Sequence, residues 1–124
     1  MLKPEKNQLL MIRKTDEFSS VFSFRKRYTS TNLVVHYKPN DLGVRVGFVV
    51  AKKVAKRAVD RNYMRRVLRE LCRQELAILS NVDVVIQVKK PFTNNEFLLM
   101  KQELLMLFNK IQLKIMQDYF GRVD

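Results

Sequence analysis

The sequence is short of the residues on which several protein classes depend. A single cysteine, Cys72, excludes an intramolecular disulfide, and with the single histidine, His36, it is too little for a Cys/His zinc site. A reducing, cytoplasmic location is the default expectation. Three glycines leave no glycine-rich loop to cradle phosphates. Tryptophan is absent, so an amphipathic helix would have no indole anchor at a membrane surface. No apolar run approaches the ~18 residues of a spanning helix. The N-terminal stretch MLKPEKNQLLMIRK flanks its short apolar run with charge and shows no small-residue cleavage pattern, so a secretory signal is not expected and the chain should be soluble.

Acidic residues are also few, and they are scattered. Asp16 and Glu17 open a helix, Asp41 falls in a turn, Asp60 and Glu70 lie within a basic segment, and Asp83 is in a strand. A nuclease using metal needs several carboxylates converging on one or two ions, and no such set stands out. Ser19, Ser20, Ser23, Ser30 and Ser80 have only His36 as an imidazole base, and a strand histidine is more often structural than catalytic. Binding is therefore expected rather than catalysis, with no catalytic residue and no metal ligand in the chain.

What the chain has in excess is positive charge. Twenty-four Lys and Arg against 12 Asp and Glu give +12 on 14.7 kDa, a self-repulsion usually balanced by a polyanion. Nucleic acid is the first candidate and an anionic membrane surface the second. Between residues 52 and 73 lie nine cations (Lys52, Lys53, Lys56, Arg57, Arg61, Arg65, Arg66, Arg69, Arg73) against Asp60 and Glu70, a net of +7. A merely solvated basic face is the plain alternative.

At 124 residues, the length suits a single domain spanning 1–124. Thr15, as N-cap, with Asp16 and Glu17 signals a helix start, and Phe18, Val21 and Phe22 then share a face, as a core stripe would. Thr29 to Lys38 is extended, with a shorter strand around Arg27 to Ser30 before it. Asn40-Asp41-Leu42-Gly43 is a turn, and Val44 to Val50 is a strand that should pair with its predecessor as an antiparallel hairpin. A helix follows over about Val59 to Leu76. On a wheel with Asn62 at zero, Arg65, Arg66, Arg69 and Arg73 lie within about 60° of it, opposite Met64, Val67, Leu68 and Leu71. Val82 to Val88 is apolar on both faces, hence central. Thr93 to Glu96 has capping-box spacing, and Phe97, Met100, Leu104, Leu107, Phe108, Ile111 and Ile115 carry a final amphipathic helix. The expected class is a small α+β sandwich with helices packed on one sheet.

The stretch Gly47 to Glu70, GFVVAKKVAKRAVDRNYMRRVLRE, resembles the signature of the bacterial ribonuclease P protein family: Ala51-Lys52-Lys53 closes an apolar strand, Arg61-Asn62-Tyr63 opens a basic helix, and Arg65-Arg66 and Arg69-Glu70 follow. Asp16 to Phe22 resembles the family's first helix, so the likeness covers nearly the whole chain. Two positions depart from the pattern. Tyr63 stands where the family usually has a second arginine, and His36 where some members carry tyrosine.

The resemblance implies the order α-β-β-β-α-β-α with an unusual left-handed crossover between parallel strands. It further implies that the protein assists removal of the 5′ leader of precursor tRNA by a catalytic RNA that holds Mg²⁺, so its partners are that RNA and precursor tRNA, not DNA. Arg61, Arg65, Arg66 and Arg69 would contact the catalytic RNA, extended by Lys52, Lys53, Lys56, Arg57 and Arg73, with Asn62 supplying hydrogen bonds. Phe18, Phe22 and His36 would line a cleft for the leader, where exposed aromatics stack on single-stranded bases with little sequence preference. A structural RNA-binding protein and a self-sufficient metal nuclease are the rival readings.

Overall fold

A computed structural model describes residues 9–121, so most of the N-terminal stretch weighed above as a possible signal lies outside the described residues. The chain runs β1 (Leu10–Met11), α1 (Thr15–Ser23), β2 (Lys26–Thr29), β3 (Leu33–Pro39), β4 (Arg45–Val49), α2 (Ala58–Glu75), β5 (Val82–Val88) and α3 (Phe97–Phe120), with short 3-10 turns at Leu76–Ile78 and Asn94–Glu96. The strands form one mixed five-stranded sheet in the order β1-β4-β5-β3-β2. It is the expected α+β class, with β1 as an added edge strand.

The expected hairpin between β3 and β4 does not form. β5 lies between them, antiparallel to β3 and parallel to β4. The physical reason is in β5 itself: Val82, Val84, Val85, Ile86 and Val88 are all at most 1% exposed, and a strand apolar on both faces is most stable with a neighbour on each side. The residues around Asn40 to Gly43 therefore carry the chain past the end of β5, where the Asn40 N–H donates to the Asn81 carbonyl at 2.9 Å. The true hairpin joins β2 to β3, pairing Arg27 with His36 and Tyr28 with Val35.

Alternation along the strands divides the side chains between two faces. Leu33, Val35 and Tyr37 of β3, Val46 of β4, and Val84, Ile86 and Val88 of β5 pack against α2 and α3 in the main core. α2 contributes Met64, Val67, Leu68, Leu71 and Cys72, and α3 contributes Met100, Leu104, Leu107, Phe108 and Ile111. Burial raises the Cys72 thiol far above its ordinary value and leaves it an inert core group. On the opposite face α1 stands alone, its Val21 and Phe18 packed with Ile12, Val49 and Val85.

Two local details anchor α1. Thr15 is its first helical residue and Lys14 takes the N-cap position instead, because the Glu17 carboxylate reaches back to accept the Lys14 N–H at 3.3 Å. Gly47 is the floor on which Phe18 lies: a Cβ there would be 2.6 Å from Phe18 Cε1 and 3.3 Å from Ile12 Cβ. Gly47→Ala is therefore expected to cost about 1–3 kcal/mol, the usual range for overpacking. Urea denaturation should show that loss, and Phe18→Leu in the same chain should recover part of it. Simple additivity of the two changes would show that the ring does not set the need for glycine.

Candidate nucleic-acid interface

The cationic face of α2 is held outward by the apolar face that the helix buries. Asn62, Arg65, Arg66, Arg69 and Arg73 recur at helical spacing along about 16 Å of axis, and all but the half-buried Arg65 are exposed. Their surroundings differ. Arg57 is paired with Asp60 at 2.9 Å and Arg73 with Glu70 at 3.1 Å. Arg61 donates to the carbonyls of Ala55 and Lys56 at 2.9 and 2.8 Å, so it braces the loop that carries Lys52, Lys53 and Lys56. Arg65 donates to Asn62 Oδ1 at 3.2 Å, which leaves the Asn62 amide nitrogen as an outward donor. Lys52, Lys53, Lys56, Arg66 and Arg69 make no ion pair among the described residues. The result is a convex strip of positive charge, partly neutralised at its two ends and open in the middle, suited to a phosphate backbone.

The second surface is the part of the sheet that α1 leaves uncovered. Phe22 is 36% exposed, and its ring meets His36 edge to face with centroids 4.5 Å apart. His36 is buried, with Nε2 2.9 Å from Gln87 Oε1. Arg27 lies opposite His36 across the β2–β3 ladder, which places the two on the same face. Phe18 is mostly turned into the small core around Val21 and Val85, so of the two phenylalanines Phe22 presents the freer ring. An aromatic ring, an amide and a guanidinium thus lie on one face of the sheet. These groups match the needs of an unpaired nucleotide: a face to stack on, a hydrogen-bonding partner and a cation for the phosphate.

A polar network missed in the sequence fixes α1 over this face. Arg45 makes a two-pronged pair with Asp83, Nε to Oδ1 and Nη2 to Oδ2 both at 2.8 Å, and its Nη1 reaches Glu17 Oε2 at 2.6 Å. Asn40 donates to Asp83 Oδ1 at 2.6 Å, and Lys38 Nζ donates to Ser20 Oγ at 2.6 Å. The hydrogen bonds to Asp83 first, and to Glu17 second, hold the Arg45 guanidinium above its ordinary value. The Arg45 hydrogen bond, followed by that from the Lys14 backbone, holds the Glu17 carboxyl below its own. One available signal was Asp83 itself, the only charged residue in β5.

Among the described residues no three His, Cys, Asp or Glu side chains gather as a metal site. The carboxylates that do converge, Glu17 and Asp83, are occupied by Arg45. Among the described residues no helix is long and apolar enough to cross a membrane.

Comparison with known proteins gives a consistent picture. The family model described as Ribonuclease P matches residues 7–112. The chain is 42% identical over 101 residues to the ribonuclease P protein component of Azoarcus sp. (strain BH72), covering 81% of this chain and 84% of that one. With its counterpart in Chromobacterium violaceum it shares 50% over 84 residues, 67% of this chain and 69% of the relative. Among solved structures, the RNase P protein from Thermotoga maritima superposes with a TM-score of 0.69 at 23% identity, covering 81% and 96% of the two chains. The Staphylococcus aureus RNase P protein gives 0.66 at 21%, covering 82% and 99%. At those identities the structural matches speak to the fold.

Proposed function

Because the chain belongs to the ribonuclease P protein family, and so is part of an endoribonuclease, we propose that it works as a two-faced RNA adaptor. One face docks on the catalytic RNA and the other holds the 5′ leader of precursor tRNA. The observation that carries this reading is the separation of the two surfaces. The unpaired cations of α2 lie on the helix that covers one side of the sheet, while Phe22, His36 and Arg27 lie on the other side.

In this reading hydrolysis belongs to the RNA, with Mg²⁺ held mainly by that RNA. Among the described residues no three carboxylate, His or Cys side chains gather to hold the ion, and Glu17 and Asp83 are tied to Arg45. The protein contributes positive charge, which lowers repulsion between two polyanions, and a platform that accepts leaders of varied sequence. Stacking suits the second task because every base has a π-face.

The test is cleavage of a precursor tRNA at low Mg²⁺ with bacterial ribonuclease P RNA alone, the protein alone, and the two combined. Cleavage at the mature 5′ end that needs the mixture supports the adaptor. Cutting by the protein alone would overturn it in favour of a self-sufficient nuclease, and failure to stimulate in favour of another structural RNA-binding role.

The leader cleft has its own expected result. Phe22→Ala should weaken binding of leader-bearing precursor by on the order of tenfold, the worth of one stacked base, and leave mature tRNA affinity nearly unchanged. Phe18→Ala is a less clean probe, since it also empties space above Gly47. Equal losses of precursor and mature tRNA with Phe22→Ala would remove Phe22 from the leader path.

A further inference from the structure

A second cleft, separate from the leader face, opens beside the cationic strip. It has a volume of about 690 Å³ and lies between the loop before α2, the first turns of α2, and the segment leading into α3. Val54, Met64 and Phe92 give it an apolar floor, and Tyr63 forms one wall. Asn94 and Asn95 also line it and are exposed. Among the described residues neither asparagine amide nor the Tyr63 hydroxyl has a side-chain hydrogen-bond partner.

Both approaches to the cleft are positive. Val54 and Ala55 on one side are flanked in the chain by Lys52, Lys53 and Lys56, while Pro91 on the other side is preceded by Lys89 and Lys90, all exposed. The one acid lining the cleft, Asp60, is paired with Arg57. A wall with an aromatic ring, unused amides at the rim and cations on either side form a place for a flat, hydrogen-bonding group attached to a phosphate chain.

We propose that this cleft receives a single unpaired nucleobase of the RNA that docks on α2, stacked on Tyr63 and read at its edge by Asn94 and Asn95. The proposal rests on the docking role given to α2 above. A paired base keeps its faces stacked within the duplex, so only an unstacked nucleotide can enter such a cleft. Tyr63 then has a role that its neighbours lack: Arg65, Arg66 and Arg69 meet charge, whereas Tyr63 meets a base. The strip fixes the RNA without regard to sequence, and the cleft sets the register of the RNA along it.

The experiment is chemical probing of ribonuclease P RNA with dimethyl sulfate and a carbodiimide, which together report the exposed edges of all four bases, in complex with the wild type and with variants. An unpaired nucleotide protected by the wild type should become reactive with Tyr63→Ser and with Asn95→Ala, while backbone protection along the α2 footprint persists. Affinity should fall by on the order of tenfold for loss of the stack, with no change in the salt dependence, since no phosphate contact is lost. Asn95→Ala lies on an exposed rim and keeps the test decisive if Tyr63→Ser disturbs the core. Protection that survives both variants, or the lack of any protected unpaired base, overturns the proposal. If Arg66 and Arg69 also prove irrelevant to binding of this RNA, the docking role itself is at fault, and the base cleft falls with it.

Discussion

Replacing Arg66 and Arg69 together by alanine is expected to reduce affinity for ribonuclease P RNA by on the order of a hundredfold at low salt and to flatten its salt dependence by nearly two units of log–log slope. Both residues are exposed and make no ion pair among the described residues, so each is available to a phosphate. A charge-assisted hydrogen bond contributes roughly 1.5–3 kcal/mol, or about a factor of ten or more. Each phosphate contact on a helix also releases close to one counterion, which sets the expected change in slope at about 0.9 per arginine. Arg57 and Arg73 should behave differently, because each already holds a carboxylate, Asp60 or Glu70, that it must leave before it meets a phosphate. Their paired alanine variant is expected to change the slope by less. Folding stability should move by no more than about 0.5 kcal/mol in the Arg66/Arg69 variant, since both side chains point to solvent. Titrations across a salt series would decide the matter: an unchanged slope with Arg66 and Arg69 removed would falsify the placement of the RNA on this strip.

The strip was legible in the sequence because its cause is local. Cations and apolar residues separate onto opposite faces of one helix, so Arg66 and Arg69 could be placed outward and Val67, Leu68 and Leu71 inward from spacing alone. The central position of β5 was legible for a similar reason, since its apolar residues leave no face for water. The pairing of β3 with β4 was misread because Asn40 to Gly43 is a strong turn signal, while the insertion of β5 depends on residues about 40 positions later. β5 itself carried the signal that separates β3 from β4, because a strand apolar on both faces displaces a weaker neighbour from the centre. β1 is two residues long and has no period to read. Phe18 and Phe22 share a face by spacing, yet only the approach of α1 over Gly47 turns one inward and leaves the other partly open. Likewise, Arg45, Asp83 and Glu17 come from three elements, and nothing in any one of them announces the other two.

That network makes Asp83→Ala the substitution with the largest expected effect on stability. The Asp83 side chain is 9% exposed and Arg45 23%, so removing the carboxylate strands a guanidinium in a partly dry place and orphans the Asn40 amide. Breaking one side of a buried pair usually costs about 3–5 kcal/mol, and the exposure of Arg45 places the expectation near the lower end. The same change should loosen α1, because Arg45 also holds Glu17 in its first turn. At temperatures where the variant stays folded, discrimination between precursor and mature tRNA should therefore decline while affinity for ribonuclease P RNA is kept. Replacing both partners, as Arg45→Met with Asp83→Leu, should recover part of the stability, since an apolar pair carries no desolvation cost. Acid should reach the network through Glu17. Its carboxyl titrates below the ordinary value near 4.5 when folded, so the stability it lends is complete above that value and is lost as pH falls through the lowered one. Urea midpoints measured from pH 6 down to pH 3 should consequently fall less for Glu17→Gln than for the wild type. Parallel declines would mean that the Glu17–Arg45 pair adds nothing to stability and that α1 is held by its apolar packing and the Lys38–Ser20 hydrogen bond.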